Sequence, residues 1–401
     1  MIFSLRQVQE KCTEQNMPMY AVFIDFTKAF DTVSREALWT VFQKYRCTDK
    51  IINLLKSFHD RTQVQVAQER NTSEKFEVTN GVKQGCILAP LRFSLYLAAM
   101  LEVAFDGIQE GIYIQTRQNA DLFKVSQFKA RTLSTKNLVR EMFFADDSAI
   151  VTHSFEGMQY LIDKFARAAI QFSLKINIKK TECLYQPVKL INPEPDTITV
   201  SNKPLASCSD FKYLGSTISS NNKINKEILN RMGNTSAAFS KLQNHLWNNK
   251  HVSTKAKCKV YRAIVLSTLL YGAETWTIYC HQVKKLHAFM MQHLRAIMGV
   301  TWKDKITNVD ILNRADLPSM VDILIEKGLR WLGHVHRMGN ERLPRQLLYS
   351  QLCEGMRNHG QPKLRFKDAM KSNMKWQNID SRSWQQVAEN KPVWRKNIKP
   401  P

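Results

Sequence analysis

Six consecutive apolar positions, Met19-Tyr20-Ala21-Val22-Phe23-Ile24, end on Asp25. A run that short reads as a buried strand, and a carboxylate at its end belongs where solvent or a metal can compensate the charge. Apolar residues recur at helical spacing from Ser34 to Tyr45 and from Pro90 to Phe105. Between Phe143 and Val151 two apolar runs flank Asp146-Asp147. That pattern predicts a strand, a tight turn and a second strand, with the Asp pair at the centre because Asp tolerates positive φ. Strands and helices mixed in this way up to about residue 222 give α+β texture. Residues 107–139 are polar and weakly patterned, which predicts an inserted hairpin or loop.

Beyond that point the period changes. Ile224, Ile228, Met232, Phe239, Leu242 and Leu246 fall on one helical face, followed by Val260, Ile264 and Leu270 and then by Val283, Leu286, Phe289, Leu294 and Ile297. A small helical bundle is expected from about 223 to 300. The region from about 301 to 401 opens with a helix that starts on Pro318 and carries Met320, Ile323, Leu324, Trp331 and Leu332. Past Gly355 the chain is basic and rich in turn residues, so part of this tail is expected to be disordered.

With 401 residues and 44% hydrophobic composition, the chain is long and apolar enough to bury more than one core. No apolar run approaches the length needed to cross a bilayer, and the N-terminus lacks a signal-peptide core, so no membrane is expected. Eight scattered cysteines without a CxxC pair point to reduced thiols and an intracellular protein, cytoplasmic or nuclear. His334, His336, Cys353 and His359 lack the paired-cysteine spacing of a zinc site.

Charge adds a partner. The formal net charge is +23, and it is uneven: residues 1–222 hold 27 Lys+Arg against 23 Asp+Glu, whereas residues 223–401 hold 31 against 12. A net of +4 against +19 places the polyanion-binding surface in the C-terminal half, where Lys and Arg gain free energy by releasing counterions from phosphates.

If the hairpin around Asp146-Asp147 pairs beside the strand ending in Asp25, three carboxylates converge and attract hard divalent cations. Two such metals activate an attacking hydroxyl and stabilise the departing oxygen of an in-line phosphoryl displacement. Gly81-Val82-Lys83-Gln84-Gly85-Cys86-Ile87-Leu88-Ala89-Pro90 lies between the acidic segments. Its two glycines remove side chains where a backbone or a nucleotide comes close, Gln84 offers donor and acceptor, and Pro90 opens a helix.

These segments, in this order, resemble the reverse transcriptases of non-LTR (LINE-like) retrotransposons. Phe23-Ile24-Asp25-Phe26-Thr27-Lys28-Ala29-Phe30-Asp31 resembles their motif A, Gly81 to Pro90 motif B, and Phe144-Ala145-Asp146-Asp147 motif C. Ile176-Asn177-Ile178-Lys179-Lys180-Thr181-Glu182 is similar to motif D, and Phe211-Lys212-Tyr213-Leu214-Gly215 to motif E. The resemblance implies a polymerase palm, a ferredoxin-like antiparallel sheet with packed helices, over 1–222, a helical thumb over 223–300 and a basic connection region over 301–401. It implies RNA-directed DNA synthesis from dNTPs on an RNA template with a DNA primer and a bound RNA–DNA duplex, using two Mg²⁺ ions that Mn²⁺ can replace. No protein partner is indicated.

By the same resemblance Asp25 and Asp146 bind the metals with Asp147 adjacent. Lys180 protonates the pyrophosphate leaving group. Gln84 and Gly85 line the nascent base pair, and Phe30 excludes a ribose 2′-hydroxyl. Tyr213, Leu214 and Gly215 form the primer grip. Leu270-Tyr271-Gly272-Ala273-Glu274-Thr275-Trp276 and Leu329-Arg330-Trp331-Leu332-Gly333-His334-Val335-His336-Arg337-Met338 extend the likeness into the C-terminal half, with Lys255, Lys257, Lys259, Arg262, Lys284 and Lys285 as candidate duplex contacts.

Two departures stand out. Only 18 residues precede Met19, so the expectation is a palm and thumb without the endonuclease and most of the fingers, and the competing reading is a catalytically inactive nucleic-acid-binding remnant. Arg92 occupies a first-turn helix position that is apolar in the family and where a positive charge opposes the helix dipole, so it either snorkels outward or marks decay.

Overall fold

The structure, a computed structural model, describes residues 1–68, 71–83, 85–117, 121–124, 134–188, 197–357 and 364–399. In chain order its first part contains α1 (Ile2–Gln15), β1 (Met19–Ile24), α2 (Arg35–Lys44), α3 (Asp49–Ser57), α4 (Ala89–Phe105), β2 (Ile112–Arg117), β3 (Ser134–Val139), β4 (Glu141–Phe144), β5 (Asp147–Thr152), α5 (Phe155–Gln171), β6 (Glu182–Gln186), β7 (Ala206–Cys208), β8 (Asp210–Tyr213) and β9 (Ser216–Ser219). Five strands form one sheet in the order β7-β6-β1-β5-β4. All neighbours run antiparallel except β6 and β7.

Period-2 alternation divides the two faces of this sheet. Tyr20, Val22 and Ile24 of β1 and Ile150 of β5 pack with the buried residues of α4 and α5. Met19, Ala21, Phe23, Ala149 and Val151 point the other way, toward Leu5 and Val8 of α1, Ile112 and Ile114 of β2, and Tyr213. Both faces of β1 are covered, which is why its sequence is continuously apolar. The polar stretch 107–139 forms the antiparallel pair β2–β3. Residues 118–120 and 125–133 of that stretch lie outside the described residues.

The second part comprises α6 (Asn225–Lys241), α7 (Thr254–Val260), α8 (Cys280–Met298) and α9 (Asn308–Ala315) around one apolar core. The third comprises α10 (Met320–His336), α11 (Leu343–Leu348), β10 (Ser350–Leu352), α12 (Phe366–Trp376), α13 (Trp384–Glu389) and α14 (Lys391–Asn397). Strand β10 pairs with β2 and ties the third part back to the first.

Three expectations need correction. The turn between β4 and β5 is centred on Ala145-Asp146, because Phe144 pairs with Asp147 and Ala145 takes the positive φ of 54°. Pro318 precedes the helix it was expected to open: Ser319 is the N-cap and its hydroxyl accepts from Asp322 N. Ile264 is exposed while Val265 and Leu266 are buried, because Tyr261–Leu266 winds as a π-helix and rotates the apolar face. The tail past Gly355 holds three helices whose Phe366, Trp384 and Trp394 are fully buried; only 358–363 and 400–401 lie outside the described residues.

Arg92 does not snorkel. Its side chain is 4% exposed, with Nη1 2.8 Å from His59 Nε2.

Candidate active site

Strand pairing brings the acidic residues together. The β1–β5 ladder pairs Phe23 with Ala149 and ends on Ile24 with Ser148, so Asp25 follows directly after its last pair and Asp147 directly precedes it. Alternation along β5 puts Asp147 on the face that carries Ala149. Asp146 stands beside them in the turn. Burial raises the Asp147 carboxyl above its ordinary pKa, and the charges of Asp146 and Asp25 raise it further, so the three share one electrostatic field.

Residues 176–181 wrap Asp25. A β-bridge joins Phe26 to Ile176, Asn177 N donates to Asp25 O at 2.8 Å, and Asp25 N donates to Thr181 Oγ1 at 3.3 Å. Asn177 Nδ2 donates to Asp25 Oδ2 at 3.2 Å, and Lys180 Nζ stands 3.7 Å from the same oxygen. Lys180 is thus beside the carboxylates, with its side chain 70% exposed. Sequence reasoning gave Asn177 no role; its place three residues before Lys180 in the motif D segment was the available signal.

The β8–β9 hairpin packs on the same sheet face. Phe211 stacks on Phe23 at 4.1 Å between centroids, and Tyr213 OH donates to Met142 O at 3.0 Å. Tyr213 is 1% exposed, and burial followed by the nearby Asp147 charge raises its phenol pKa. Its hydroxyl ties the hairpin to β4. The tip is Leu214-Gly215, with φ of 48° and 76°, the two positive values of a type I′ turn. Leu214 O accepts from Tyr271 OH at 3.0 Å, and Gly215 O accepts from Arg231.

Behind the tip lies a buried ionic cluster that sequence reasoning missed. Glu227 accepts from Arg231 Nε at 2.8 Å, Ser216 Oγ at 3.1 Å and Thr217 N at 2.5 Å. Arg6 reaches in from α1, donating to Ser216 Oγ at 3.0 Å and Thr217 O at 3.1 Å. Burial pulls the Arg6 guanidinium down to about 10 while Glu227 opposes the shift. Ser216 and Thr217 stand 210 and 211 residues from Arg6, so no sequence spacing announces the cluster.

The motif B loop is fastened to the segment after β1. Gly81 N donates to Val33 O and Val82 N to Phe30 O, each at 2.8 Å. Gly81 has φ +86°, and a Cβ there would lie 2.7 Å from Asp31 O, so close backbone approach requires glycine. Gly85 has φ +87° with open space where a Cβ would stand. Phe30 is half-buried and stacks on Phe93 at 4.6 Å. Gln84 lies outside the described residues.

Among the described residues no three His, Cys, Asp or Glu side chains form a ready metal cage. The shifted turn leaves Asp147 in the ladder and Asp146 on the loop, and the charges of Asp25 and Asp146 both act on Asp147. The donor set still fits Mg²⁺, a hard ion that polymerase-type sites hold through one or two carboxylates plus substrate phosphates and water. The like-charge strain on Asp147 is what a divalent cation would relieve.

Lys257 drops out of the candidate duplex contacts, since it is buried and its Nζ donates to Trp247 O at 2.7 Å. Lys255, Lys259, Arg262, Lys284 and Lys285 are exposed. Among the described residues no helix is long and apolar enough to cross a membrane.

Residues 2–218, more than half of the chain, match the family described as reverse transcriptase (RNA-dependent DNA polymerase). The chain belongs to the reverse transcriptase family. Among its relatives, the RNA-directed DNA polymerase from mobile element jockey of Drosophila funebris is 24% identical over 291 residues, 70% of this chain and 28% of that protein. The probable RNA-directed DNA polymerase from transposon X-element of Drosophila melanogaster is 23% identical over 309 residues, 74% of this chain and 30% of that one. This reverse transcriptase-family chain thus spans less than a third of those relatives. A transposon-derived protein of Caenorhabditis elegans is 22% identical over 262 residues, 63% of this chain and 92% of its own length. A solved structure of Candida tropicalis telomerase with a fragment of telomeric RNA covers 87% of this chain and 51% of its own, at 13% identity and a TM-score of 0.37.

Proposed function

We propose that this chain is the polymerase portion of a non-LTR element and extends a DNA primer on an RNA template from dNTPs. The observation that carries the reading is that Asp25 and Asp147 flank the last pair of the β1–β5 ladder, with Asp146 in the adjoining turn and the charges of Asp25 and Asp146 both acting on Asp147. Residues 1–222 act as palm, 223–300 as thumb and 301–401 as connection region.

Asp25 and Asp146 would hold two Mg²⁺ ions, with Asp147 adjacent. When bound, such ions lower the barrier to in-line displacement at the nucleotide's α-phosphorus. Asn177 orients Asp25 through its side-chain amide. Lys180 neutralises that carboxylate in the absence of substrate, and its exposed ammonium is free to swing to the pyrophosphate and donate a proton to it. Phe30, braced on Phe93, stands as the barrier to a 2′-hydroxyl. Gly85, and Gln84 with it, would floor the nascent base pair, and Leu214-Gly215 would touch the primer strand while Tyr213 anchors them.

A second reading, a non-catalytic nucleic-acid-binding remnant, is favoured by the Lys180–Asp25 ion pair, which occupies a carboxylate that the metals would need. Primer extension on oligo(dT)-primed poly(rA) with Mg²⁺ or Mn²⁺ separates the two. Incorporation of dTTP but not UTP, lost in Asp146→Asn, is the expected result. No incorporation with duplex binding retained would establish the remnant.

A further inference from the structure

Helix α10 carries Lys327, Arg330 and His334 at i, i+3 and i+7, and its C-cap Arg337 continues the stripe at i+10. Lys391 and Arg395 of α14 follow at i and i+4, and Lys399 lies just beyond the helix end at i+8. The two stripes line adjoining cavities of about 370 and 690 Å³ that share Arg330, Lys391 and Arg395. Glu274 is the one acidic residue in either lining, and Arg330 also pairs with Glu326.

The cleft is built rather than incidental. Trp394 is fully buried beneath it and its Nε1 donates to Leu329 O at 2.9 Å. A Cβ at Gly333 would run into the Trp394 indole, so the glycine sets how closely α14 approaches α10 and hence the spacing of the stripes. Trp331 Nε1 is buried in the wall without a hydrogen-bond partner, an unused donor. The positive field is visible in its own groups: burial and then Arg337 and Lys391 lower the His334 pKa, and burial and then Arg395 lower that of Arg337.

We propose that this cleft is a separate binding site for the phosphate backbone of a single polynucleotide strand, lying outside the carboxylate centre. None of its lining residues belongs to the sheet that bears Asp25. Charge concentrated in a groove with apolar walls focuses the field on a polyanion. Trp394 is wholly buried and offers no face for base stacking, so the cleft's cations act on phosphates, contacts that carry no sequence information.

The test uses the full chain and fluorescein-labelled oligo(rU), read by anisotropy across a NaCl series. The triple variant Lys327→Gln, Lys391→Gln, Arg395→Gln removes three contacts, so the slope of log K against log[salt] falls by about 2, with about tenfold weaker binding at low salt. A matched triple at exposed positions outside both this cleft and the candidate duplex contacts, Lys50→Gln, Lys75→Gln, Arg167→Gln, leaves that strand affinity within about twofold. An unchanged slope in the first triple overturns the proposal. So does tripolyphosphate displacing the probe as well, per charge, as unlabelled oligo(rU), which would mark a small-anion site. Asp146→Asn keeps oligo(rU) binding and loses primer extension, so failure of this site and failure of the polymerase reading appear in different measurements.

Discussion

Replacing Glu227 by Ala attacks the brace behind the hairpin tip. The carboxylate is 1% exposed and receives three hydrogen bonds, from Arg231, Ser216 and Thr217. Its removal leaves the buried guanidinium groups of Arg6 and Arg231 facing one another with no counter-charge. Breaking one side of a buried pair costs about 3–5 kcal/mol, a large share of the roughly 5–15 kcal/mol that holds a folded protein. With a urea m-value of about 2 kcal/mol/M, the midpoint of the transition that includes the hairpin should fall by about 2 M with its slope unchanged. Glu227→Gln keeps the size and an acceptor, so it should recover part of the loss. The double variant Glu227→Leu, Arg231→Met removes both partners together and should unfold later than Glu227→Ala alone. Because Arg231 also holds Gly215 O, primer–template KM should rise in Glu227→Ala. A midpoint shift below about 0.5 M would place the pair among weak surface contacts and refute the reasoning.

The two motif B glycines should separate in the same assay. Gly81→Ala adds a Cβ 2.7 Å from Asp31 O on top of an unfavourable φ and should cost about 3 kcal/mol, whereas Gly85→Ala meets open space and should cost only the backbone term of about 1–2 kcal/mol; equal losses would contradict this. Asp147 titrates above its ordinary 3.8, so the folded state binds its proton more tightly than the unfolded state does. Its stabilising contribution is therefore present below pH 3.8 and lost as pH rises through the folded value. Asp147→Asn should accordingly raise the melting temperature at neutral pH, with the gain vanishing below about pH 3.8; a variant that melts lower at neutral pH would show that the like-charge field is not there.

Much of the site was readable because its chemistry is local in sequence. Met19–Ile24 was placed to the residue, since a strand covered on both faces is apolar throughout and Asp25 marks its end. The turn was misplaced by one residue for a reason that propensity cannot overcome: Asp146 and Asp147 both tolerate positive φ, and the backbone put that φ on Ala145. Once the ladder fixes Phe144 against Asp147, the register leaves no alternative.

Helix α1 was invisible for the opposite reason. Arg6, Gln7, Gln9 and Lys11 break its apolar pattern and read as surface, yet all four are buried. Their partners are distant: Arg6 meets Ser216, Gln9 meets Ser219 O, and Lys11 meets Ser350 O at 2.6 Å, 339 residues away. A buried polar side chain is tolerated only when it is satisfied, and satisfaction of this kind exists only after the fold has formed. The same rule explains Glu227 and Arg231, which sit i, i+4 on α6 and look like an ordinary exposed helix pair. The carboxylates that would do the chemistry announce themselves by order and spacing. The groups that hold the hairpin under them are polar residues concealed among other polar residues, and only long-range pairing tells them apart.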